Sequence, residues 1–302
     1  SLRSKYGLRQ GNLREACGIF GVYAPGEDVA RITFFALFAL QHRGQESAGI
    51  STSDGKKIQV YARMGLVSQV FDEESLSQLT GNIAIGLNRY STTGSSRMCN
   101  AQPLIVGSGD NLISIAHNGN IVNAEHLYNE LTEKGYSFNS TTDSEVIANL
   151  IHSAPGENWV EKIRHAMHRI KGAYCLTILT KDQLIAVRDP MGVRPLCLGK
   201  INGYWVVASE SCALDHIGAL FVRDIDPGEI ITIDASGLHS YRQVAVEKKS
   251  TCIFEYIYFA RPDSIIDGRL VYSTRQAMGA TLAEEYPVNA DLVVGVPDSA
   301  TV

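Results

Sequence analysis

The alternation of hydrophobic and polar positions divides the first part of the chain into strands and a helix. Residues Cys17–Tyr23 interleave β-branched and aromatic residues with glycine, which predicts a buried strand. The next segment, 29–44, is apolar on almost every side and ends at a glycine, as is typical of a helix buried between layers. Strand-like runs follow at Ile58–Met64, Ile83–Asn88 and Leu112–Ala116.

Helical periodicity dominates the middle of the chain. We predict three helices, at about 123–134, 143–152 and 158–170. Asn123 is a candidate cap for the first, and Thr142 or Asp143 for the second. From 173 to 241 the chain turns to short strands separated by Asn-Gly, Pro-Gly and Ser-Gly turns, which predicts an antiparallel meander. This order favours an α+β sandwich of sheets packed between helices over a doubly wound parallel sheet.

The two ends of the chain differ from this body. Residues 1–16 are polar and basic without a sustained period, so we expect a leader or arm. Beyond about 247 the pattern predicts a helix over Tyr272–Tyr286 and an apolar strand over Ala290–Ser299. One helix and one strand cannot bury a core of their own, so we expect the opening of an incomplete second domain.

Composition narrows the possible functions. The 302 residues are 45% hydrophobic and 20% charged, which predicts ordinary globular domains. The net charge of −5 offers no basic field for nucleic acid. The chain has no apolar run of bilayer length and no secretory signal, so we expect a soluble, cytoplasmic protein without a membrane partner. The six cysteines form no C-x-x-C pair, which favours buried thiols over a disulfide scaffold or a zinc site.

Five segments are rich in glycine and polar residues. They are CGIFG (17–21), QHRGQESAG (41–49), NRYSTTGSS (88–96), HNGNIVN (117–123) and TTDSE (141–145). Each is weak by itself, but together they resemble the class II glutamine amidotransferases, which are N-terminal nucleophile hydrolases, over 17–241. EYIYFARPDSIIDG (255–268) and VGVPDS (294–299) narrow the resemblance to the amidophosphoribosyltransferase family.

The resemblance implies a fold, a domain division and an activity. The fold would be a four-layer αββα sandwich followed by the start of an α/β phosphoribosyltransferase domain. The divisions would be a propeptide at 1–16, an amidotransferase domain at 17–246 and the incomplete domain at 247–302. The activity would be glutamine hydrolysis that supplies ammonia to phosphoribosyl pyrophosphate, giving phosphoribosylamine in the first step of purine synthesis.

Cys17 is the predicted nucleophile of this reaction. A thiol is partly ionised near neutral pH, and the α-amino group of an N-terminal cysteine could accept its proton. In the chain as written that nitrogen is in a peptide bond to Ala16, where it cannot act as a base. We therefore expect cleavage between Ala16 and Cys17. The alternative is a buried strand cysteine.

Asn118 and Gly119 are predicted to form the oxyanion hole. A side-chain amide and a backbone N–H donate hydrogen bonds without carrying net charge, and the resemblance assigns both residues this role. From local sequence alone, the favoured interpretation is an Asn-Gly hairpin turn between Ile115 and Ile121.

A glutamine substrate needs a cation for its α-carboxylate and an anion for its α-ammonium. Arg89 and Asp143 are the candidates, since a guanidinium pairs with a carboxylate bidentately; their alternatives are a surface arginine and a helix N-cap. The resemblance adds Arg43, which could instead cap helix carbonyls. Leu87 departs from the family, which commonly has histidine at this position.

Two cofactors are implied by the resemblance. Cys252 matches one of four ligands to a [4Fe–4S] cluster in some relatives; the alternative is a buried strand-edge cysteine. Mg²⁺ would serve the phosphoribosyl pyrophosphate loop, which in the family contains paired aspartates. No Asp-Asp pair occurs in these 302 residues.

The remaining expectations concern partners and competing functions. The resemblance implies glutamine, phosphoribosyl pyrophosphate and purine nucleotide inhibitors as ligands, and a homo-oligomer, by analogy a tetramer. Hexosephosphate aminotransferases and asparagine synthetases share the Cys-Gly-Ile start, but the ARPDS segment argues against them. A non-catalytic truncated module is a further alternative. A hydrolase of bile-salt or penicillin amides is disfavoured because Arg89 with Asp143 suits an α-amino acid.

Overall fold

Two antiparallel sheets form the body of the protein. The computed structural model describes residues 17–90, 97–242 and 249–302. The strands are β1 (Gly18–Tyr23), β2 (Ser47–Ser53), β3 (Ile58–Met64), β4 (Ile83–Arg89), β5 (Leu104–Val106), β6 (Ile113–Ile121), β7 (Gly172–Leu179), β8 (Leu184–Arg188), β9 (Cys197–Ile201), β10 (Tyr204–Ala208), β11 (Leu220–Asp224), β12 (Glu229–Asp234), β13 (Gly237–Arg242), β14 (Ile265–Ile266) and β15 (Arg269–Leu270). The first sheet has the order β11-β9-β10-β1-β4-β2-β3, and the second β13-β12-β8-β7-β6-β5.

Helices cover the outer face of each sheet. They are α1 (Val29–Ala39), α2 (Val67–Val70), α3 (Glu73–Gln78), α4 (Ala124–Glu133), α5 (Asp143–Ser153), α6 (Trp159–Arg169) and α7 (Ser211–His216), whereas α8 (Val271–Glu285) packs within the C-terminal segment. An apolar cluster joins α1, α2, α3 and α7 to the first sheet, and a second cluster joins α4, α5 and α6 to the second sheet. The predicted four-layer αββα architecture is confirmed.

A third apolar cluster lies between the two sheets. Because successive strand residues point to opposite faces, Phe20 and Val22 of β1 pack under the helices, whereas Ile19 lies in the cluster between the sheets. Gly21 also lies where the sheets approach closely, since a Cβ there would be 2.8 Å from Leu184 Cδ1. Burial on both faces explains why β1 is apolar along its whole length.

Several element boundaries differ from the sequence predictions. The helix predicted over 29–44 ends at Ala39 and is followed by a 3₁₀ turn at Gln41–Arg43. The strand predicted over Leu112–Ala116 extends to Ile121. Strand β2 was not predicted, because its sequence SAGISTS is polar although every residue in it is buried. Its burial depends on its place in the sheet, between β4 and β3.

The C-terminal segment packs against the first sheet's helical layer. It begins with a π-helical turn at Glu255–Phe259, followed by the β14–β15 hairpin and α8. The strand predicted over Ala290–Ser299 is wrong: only a 3₁₀ turn at Ser299–Thr301 forms there, and Val293 is 88% exposed. An apolar run becomes a strand only when neighbouring backbone completes its hydrogen bonds, and no described strand lies beside this run.

The remaining expectations concern a membrane-spanning helix, the leader and the domain boundary. No helix in the described part of the chain combines the length and apolar character needed to cross a membrane. The leader at 1–16, its cleavage point at Ala16, and the 246/247 domain boundary lie outside the described residues.

Candidate active site

Cys17 lies immediately before β1, and the sheet register brings it beside the end of β4. Gly18 pairs with Asn88, so the antiparallel ladder continues toward Cys17 and Arg89. The backbone N–H of Tyr90 donates to Cys17 Sγ at 3.4 Å, and Sγ lies 3.5 Å from the Tyr90 carbonyl oxygen. The thiol is thus held by backbone while only 6% of the residue is exposed.

The surroundings keep this thiol protonated at neutral pH. Burial raises the pKa of Cys17, and the backbone of Tyr90 and the charges of Arg89 and Arg43 offset this only in part. Asp143 also raises the pKa. Since the thiolate is the reactive form of cysteine, this thiol could act as a nucleophile only if a base accepted its proton.

Arg89 is the last residue of β4 and is only 2% exposed. Its Nη1 lies 3.4 Å from Oε1 of Glu46, which precedes β2. The surface-arginine interpretation is therefore wrong. The RYSTTG backbone expected to assist substrate binding falls largely on 91–96, outside the described residues.

Arg43 holds the backbone of Cys17 in place. Its Nε donates to the Cys17 carbonyl oxygen at 3.1 Å, and its Nη1 donates to Glu210 and Glu255. The side chain is fully buried and does not cap the carbonyls of α1, so that alternative is wrong. The resemblance singled out Arg43, and the structure shows that it holds the backbone next to the thiol.

Asn118 and Gly119 lie inside β6, paired with Cys175 and Tyr174 of β7. The hairpin-turn interpretation is therefore wrong. Gly119 has a φ of +156°, and a Cβ there would lie 2.1 Å from the Ala173 carbonyl oxygen, so the close approach of β7 requires glycine. The Asn118 side chain faces the first sheet, where its Nδ2 lies 3.5 Å from Ser209 Oγ.

His117 points to the opposite face of β6. It lies against α5, where its Nδ1 is 3.1 Å from Ser144 Oγ and 3.8 Å from Asp143 Oδ1. Burial lowers the pKa of His117, so the ring is neutral near pH 7. Because adjacent strand residues face opposite ways, His117 lies behind the strand that presents Asn118. It is not placed to accept the proton of Cys17.

Asp143 opens α5, but its carboxylate does not cap that helix. Its Oδ2 accepts the backbone N–H of Ile121 at 3.0 Å, and the N-cap position belongs to Thr142. Gln102 completes this buried network by donating to Ser144 Oγ at 2.9 Å. Gln102 was not predicted from the sequence, because it lies outside the five glycine-rich and polar segments.

Glu210 and Glu255 were also missed, although Glu255 opens the EYIYFARPDS motif. Glu210 is fully buried and accepts from Arg43, His42 and the Ser264 hydroxyl. Burial alone would raise the pKa of Glu210, but the positive charges and hydrogen bonds around it outweigh that effect and place the pKa well below the usual range. The carboxylate is therefore charged. It connects Arg43, which holds the backbone of Cys17, to Ser264 of the C-terminal segment.

Leu87 is fully buried between the two sheets, in the same apolar cluster as Cys17 and Cys175. Where the family commonly has histidine, this chain has an apolar side chain whose strand partner is Ile19. An apolar side chain suits this position because its surroundings are apolar and buried.

Cys252 is partly buried and precedes the π-helical turn, so it is not the strand-edge cysteine of the alternative interpretation. Its backbone N–H donates to the Val193 carbonyl oxygen. The described residues contain no group of three or more His, Cys, Asp or Glu side chains able to hold a metal ion. A [4Fe–4S] cluster needs four protein ligands, and Cys252 supplies one.

Comparison with known proteins identifies the family that the chain resembles. Residues 88–216 match the family model of the glutamine amidotransferase domain. The chain is 51% identical over 291 residues to amidophosphoribosyltransferase of Synechococcus elongatus, covering 94% of this chain and 59% of the relative. It is 49% identical over 298 residues to that of Mycobacterium tuberculosis, covering 95% and 56%.

A solved structure gives the same result. Glutamine phosphoribosylpyrophosphate amidotransferase from B. subtilis, complexed with ADP and GMP, superimposes with a TM-score of 0.89 at 42% identity, covering 94% of this chain and 62% of that chain. The fold, the matching family model and these relatives together define a class II glutamine amidotransferase with the N-terminal nucleophile hydrolase architecture. Within that class, the chain belongs to the amidophosphoribosyltransferase family. It spans less than two thirds of the length of these relatives.

Proposed function

We propose that this chain releases ammonia from glutamine, with Cys17 as the nucleophile. The observation that carries the proposal is the arrangement around Sγ. The backbone N–H of Tyr90 donates to the thiol. Asn118 lies on the second sheet, and its side chain faces the first sheet, which carries Cys17 just before β1. The charges of Arg89 and Asp143 both act on the thiol, so the two candidate groups for an α-amino acid lie near the nucleophile.

The reaction begins when the α-amino group of Cys17 accepts the thiol proton. Sγ then forms a bond to the amide carbon, and the carbonyl oxygen becomes negative and receives hydrogen bonds from Asn118 and Gly119. When the intermediate collapses, the C–N bond breaks and the ammonia leaves with the proton from the amine. Water then hydrolyses the thioester to glutamate and restores the thiol.

This chemistry requires Cys17 to be the first residue of the mature protein. Neutral His117 lies on the other face of β6, which leaves the α-amine as the base the site can supply. We infer cleavage after Ala16, and we infer that Arg89 binds the α-carboxylate and Asp143 the α-ammonium of glutamine.

The whole protein is proposed to be an amidophosphoribosyltransferase that joins this ammonia to phosphoribosyl pyrophosphate in the first step of purine synthesis. Exposed apolar side chains at 288–296 support the assignment of 247–302 to a phosphoribosyltransferase domain, because a domain buries such surface. Purine nucleotide inhibition, a homo-oligomer, Mg²⁺ and the [4Fe–4S] cluster remain predictions. The described residues offer only Cys252 toward that cluster.

The decisive experiment measures glutamine hydrolysis by protein processed to begin at Cys17. Cys17→Ala should abolish ammonia release, whereas Cys99→Ala, at an exposed cysteine, should leave it unchanged. Intact-mass analysis of the active protein should show that residues 1–16 are gone. Turnover that persists in Cys17→Ala, or in protein that retains the leader, would show that the proposal is wrong. Ammonia-dependent consumption of phosphoribosyl pyrophosphate tests the transferase half separately.

A further inference from the structure

Ser209 is a buried serine that joins the strand carrying the nucleophile to the opposite sheet. It follows β10 directly, and its backbone N–H donates to the Ile19 carbonyl oxygen at 2.9 Å. The Ile19 N–H in turn donates to Ser209 Oγ at 2.9 Å. These two hydrogen bonds fix the Ser209 hydroxyl oxygen against Ile19, which is two residues after Cys17 in the sequence.

The hydroxyl hydrogen of Ser209 still needs an acceptor. A serine hydroxyl both accepts and donates, and the oxygen already accepts from Ile19. On the second sheet, the Asn118 amide lies 3.5 Å away, with its nitrogen toward the hydroxyl and its Oδ1 buried without a hydrogen bond to any described residue. A rotation of this amide by 180° would exchange Nδ2 and Oδ1. The Ser209 hydroxyl could then donate to Oδ1, which gives both of these groups a hydrogen bond.

We propose that Ser209 is the positioning residue of the oxyanion hole. Its hydroxyl donates to the carbonyl oxygen of the Asn118 amide, which turns the NH₂ group toward the side where Oδ1 makes no hydrogen bond to any described residue. That side lies on the face of β6 that Asn118 shares with Ala116, and Ala116 packs in the same cluster as Cys17. The inference rests on the proposed function, since it assigns that NH₂ group to the reacting carbonyl.

Ser209 touches neither the substrate nor the thiol in this arrangement. It acts through Asn118, by holding the donor in the orientation that the negative oxygen requires. Because that charge exists in the transition state and not in bound glutamine, loss of the hydroxyl should lower kcat and leave KM nearly unchanged. A purely structural role would instead lower stability or alter both constants.

The test compares Ser209→Ala with Ser211→Ala in the full gene product processed to Cys17. Ser211 is a matched control, because it is equally buried and its hydroxyl also accepts a backbone N–H, that of Ile265. Removing one oxyanion donor outright costs about 10²–10³ in kcat, so a donor that is misoriented only part of the time should cost on the order of 10. Ser211→Ala should keep the wild-type kcat for glutamine hydrolysis.

A ligand comparison separates orientation from folding. The γ-aldehyde analogue of glutamine adds Sγ to its carbonyl carbon, the thiol proton passes to the new hydroxyl, and that oxygen occupies the oxyanion hole. Its affinity should fall in Ser209→Ala by about the same factor as kcat, while the affinity for glutamate stays within about twofold. Equal weakening of both ligands would overturn the inference.

A double-mutant cycle gives the second criterion. In an Asn118→Ala background, Ser209→Ala should have no further effect on kcat, because the amide it orients is gone. Additive losses would overturn the positioning role. If Ser209→Ala does not fold, Ser209→Cys, which keeps a weak donor, takes its place in the same measurements.

The two proposals fail differently. Turnover in Cys17→Ala would remove the function itself. Cys17-dependent turnover with an unchanged kcat in Ser209→Ala would remove only the role of Ser209.

Discussion

At the scale of single residues, the proposed reaction combines the Cys17 thiol, whose pKa is raised by burial, with an α-amino group that cleavage after Ala16 would free. The α-amino group has an ordinary pKa of roughly 7.7–8.0. It must be neutral to accept the thiol proton, so kcat/KM for glutamine should rise with pH and level off above about 8.

The same pH profile tests whether His117 is the base. His117→Gln should keep the wild-type midpoint, because the ring lies on the opposite face of β6 from Asn118. The measurement is kcat/KM for glutamine between about pH 6 and 9, a range that brackets the amine pKa. A midpoint that shifts or disappears in His117→Gln would indicate that His117 is the base.

His117 should instead affect stability at mildly acidic pH. Burial holds its folded-state pKa below the unfolded value of 6.5, so the folded state binds fewer protons than the unfolded state. The stability that depends on the neutral ring is therefore fully present above that value and declines as the pH falls through it. Tm measured from pH 8 down to pH 5 should fall less steeply in His117→Gln than in wild type. Parallel curves would contradict this.

At the scale of elements, β6 is a strand although its sequence contains the Asn-Gly pair that is typical of a hairpin turn. Asn-Gly is the strongest short hairpin signal, yet here both residues continue a ladder with β7. What overrides the local preference is pairing with a strand more than 50 residues away. The opposite failure occurs at 290–299, where apolar residues without neighbouring backbone form no strand.

The close approach of β7 to β6 predicts the effect of a single methyl group. Gly119→Ala would place a Cβ 2.1 Å from the Ala173 carbonyl oxygen, so the two strands must separate at this position. We expect a loss of several degrees in Tm together with the loss of glutamine hydrolysis. The measurements are thermal unfolding and ammonia release.

Gly279→Ala is the matched control for that substitution. This glycine lies within α8, where a new Cβ would meet nothing within 4 Å. Alanine should stabilise the helix by about 0.5–1 kcal/mol. If both alanine variants behave alike, the close contact at Gly119 is not what requires glycine.

At the scale of the whole molecule, a buried group of charges joins distant parts of the chain. Arg43 and Glu255 are 212 positions apart, and Glu255 also accepts from Arg194. Glu210 accepts from Arg43 and from the backbone of Arg261. The group links the carbonyl of Cys17 to the 255–264 segment.

Removing one carboxylate from this group should be costly. Glu255→Gln leaves Arg194 and part of Arg43 without a counter-charge, and breaking a buried pair costs about 3–5 kcal/mol. Because Glu210 still pairs with Arg43, we expect the lower end of that range in the free energy of unfolding by denaturant. Asp263→Asn, which breaks a partly exposed pair with Arg261, should cost about 0–1 kcal/mol. Equal effects would show that burial does not set the energetics here.

The sequence by itself determined the layered architecture, because burial on one or both faces leaves a periodic trace in the residues that form it. The candidate site residues Cys17, Arg43, Arg89, Asn118, Gly119 and Asp143 came from the resemblance of five short segments to a known family, because no one of those segments points to chemistry by itself. Only the tertiary structure decided which of these side chains meet. Gly18 aligns with Asn88 through strand pairing, and His117 and Asn118 separate onto opposite faces through the pleat. Contacts such as those of Ser209 and Glu210 could not be predicted, because their partners are set by how two sheets and a C-terminal segment pack together.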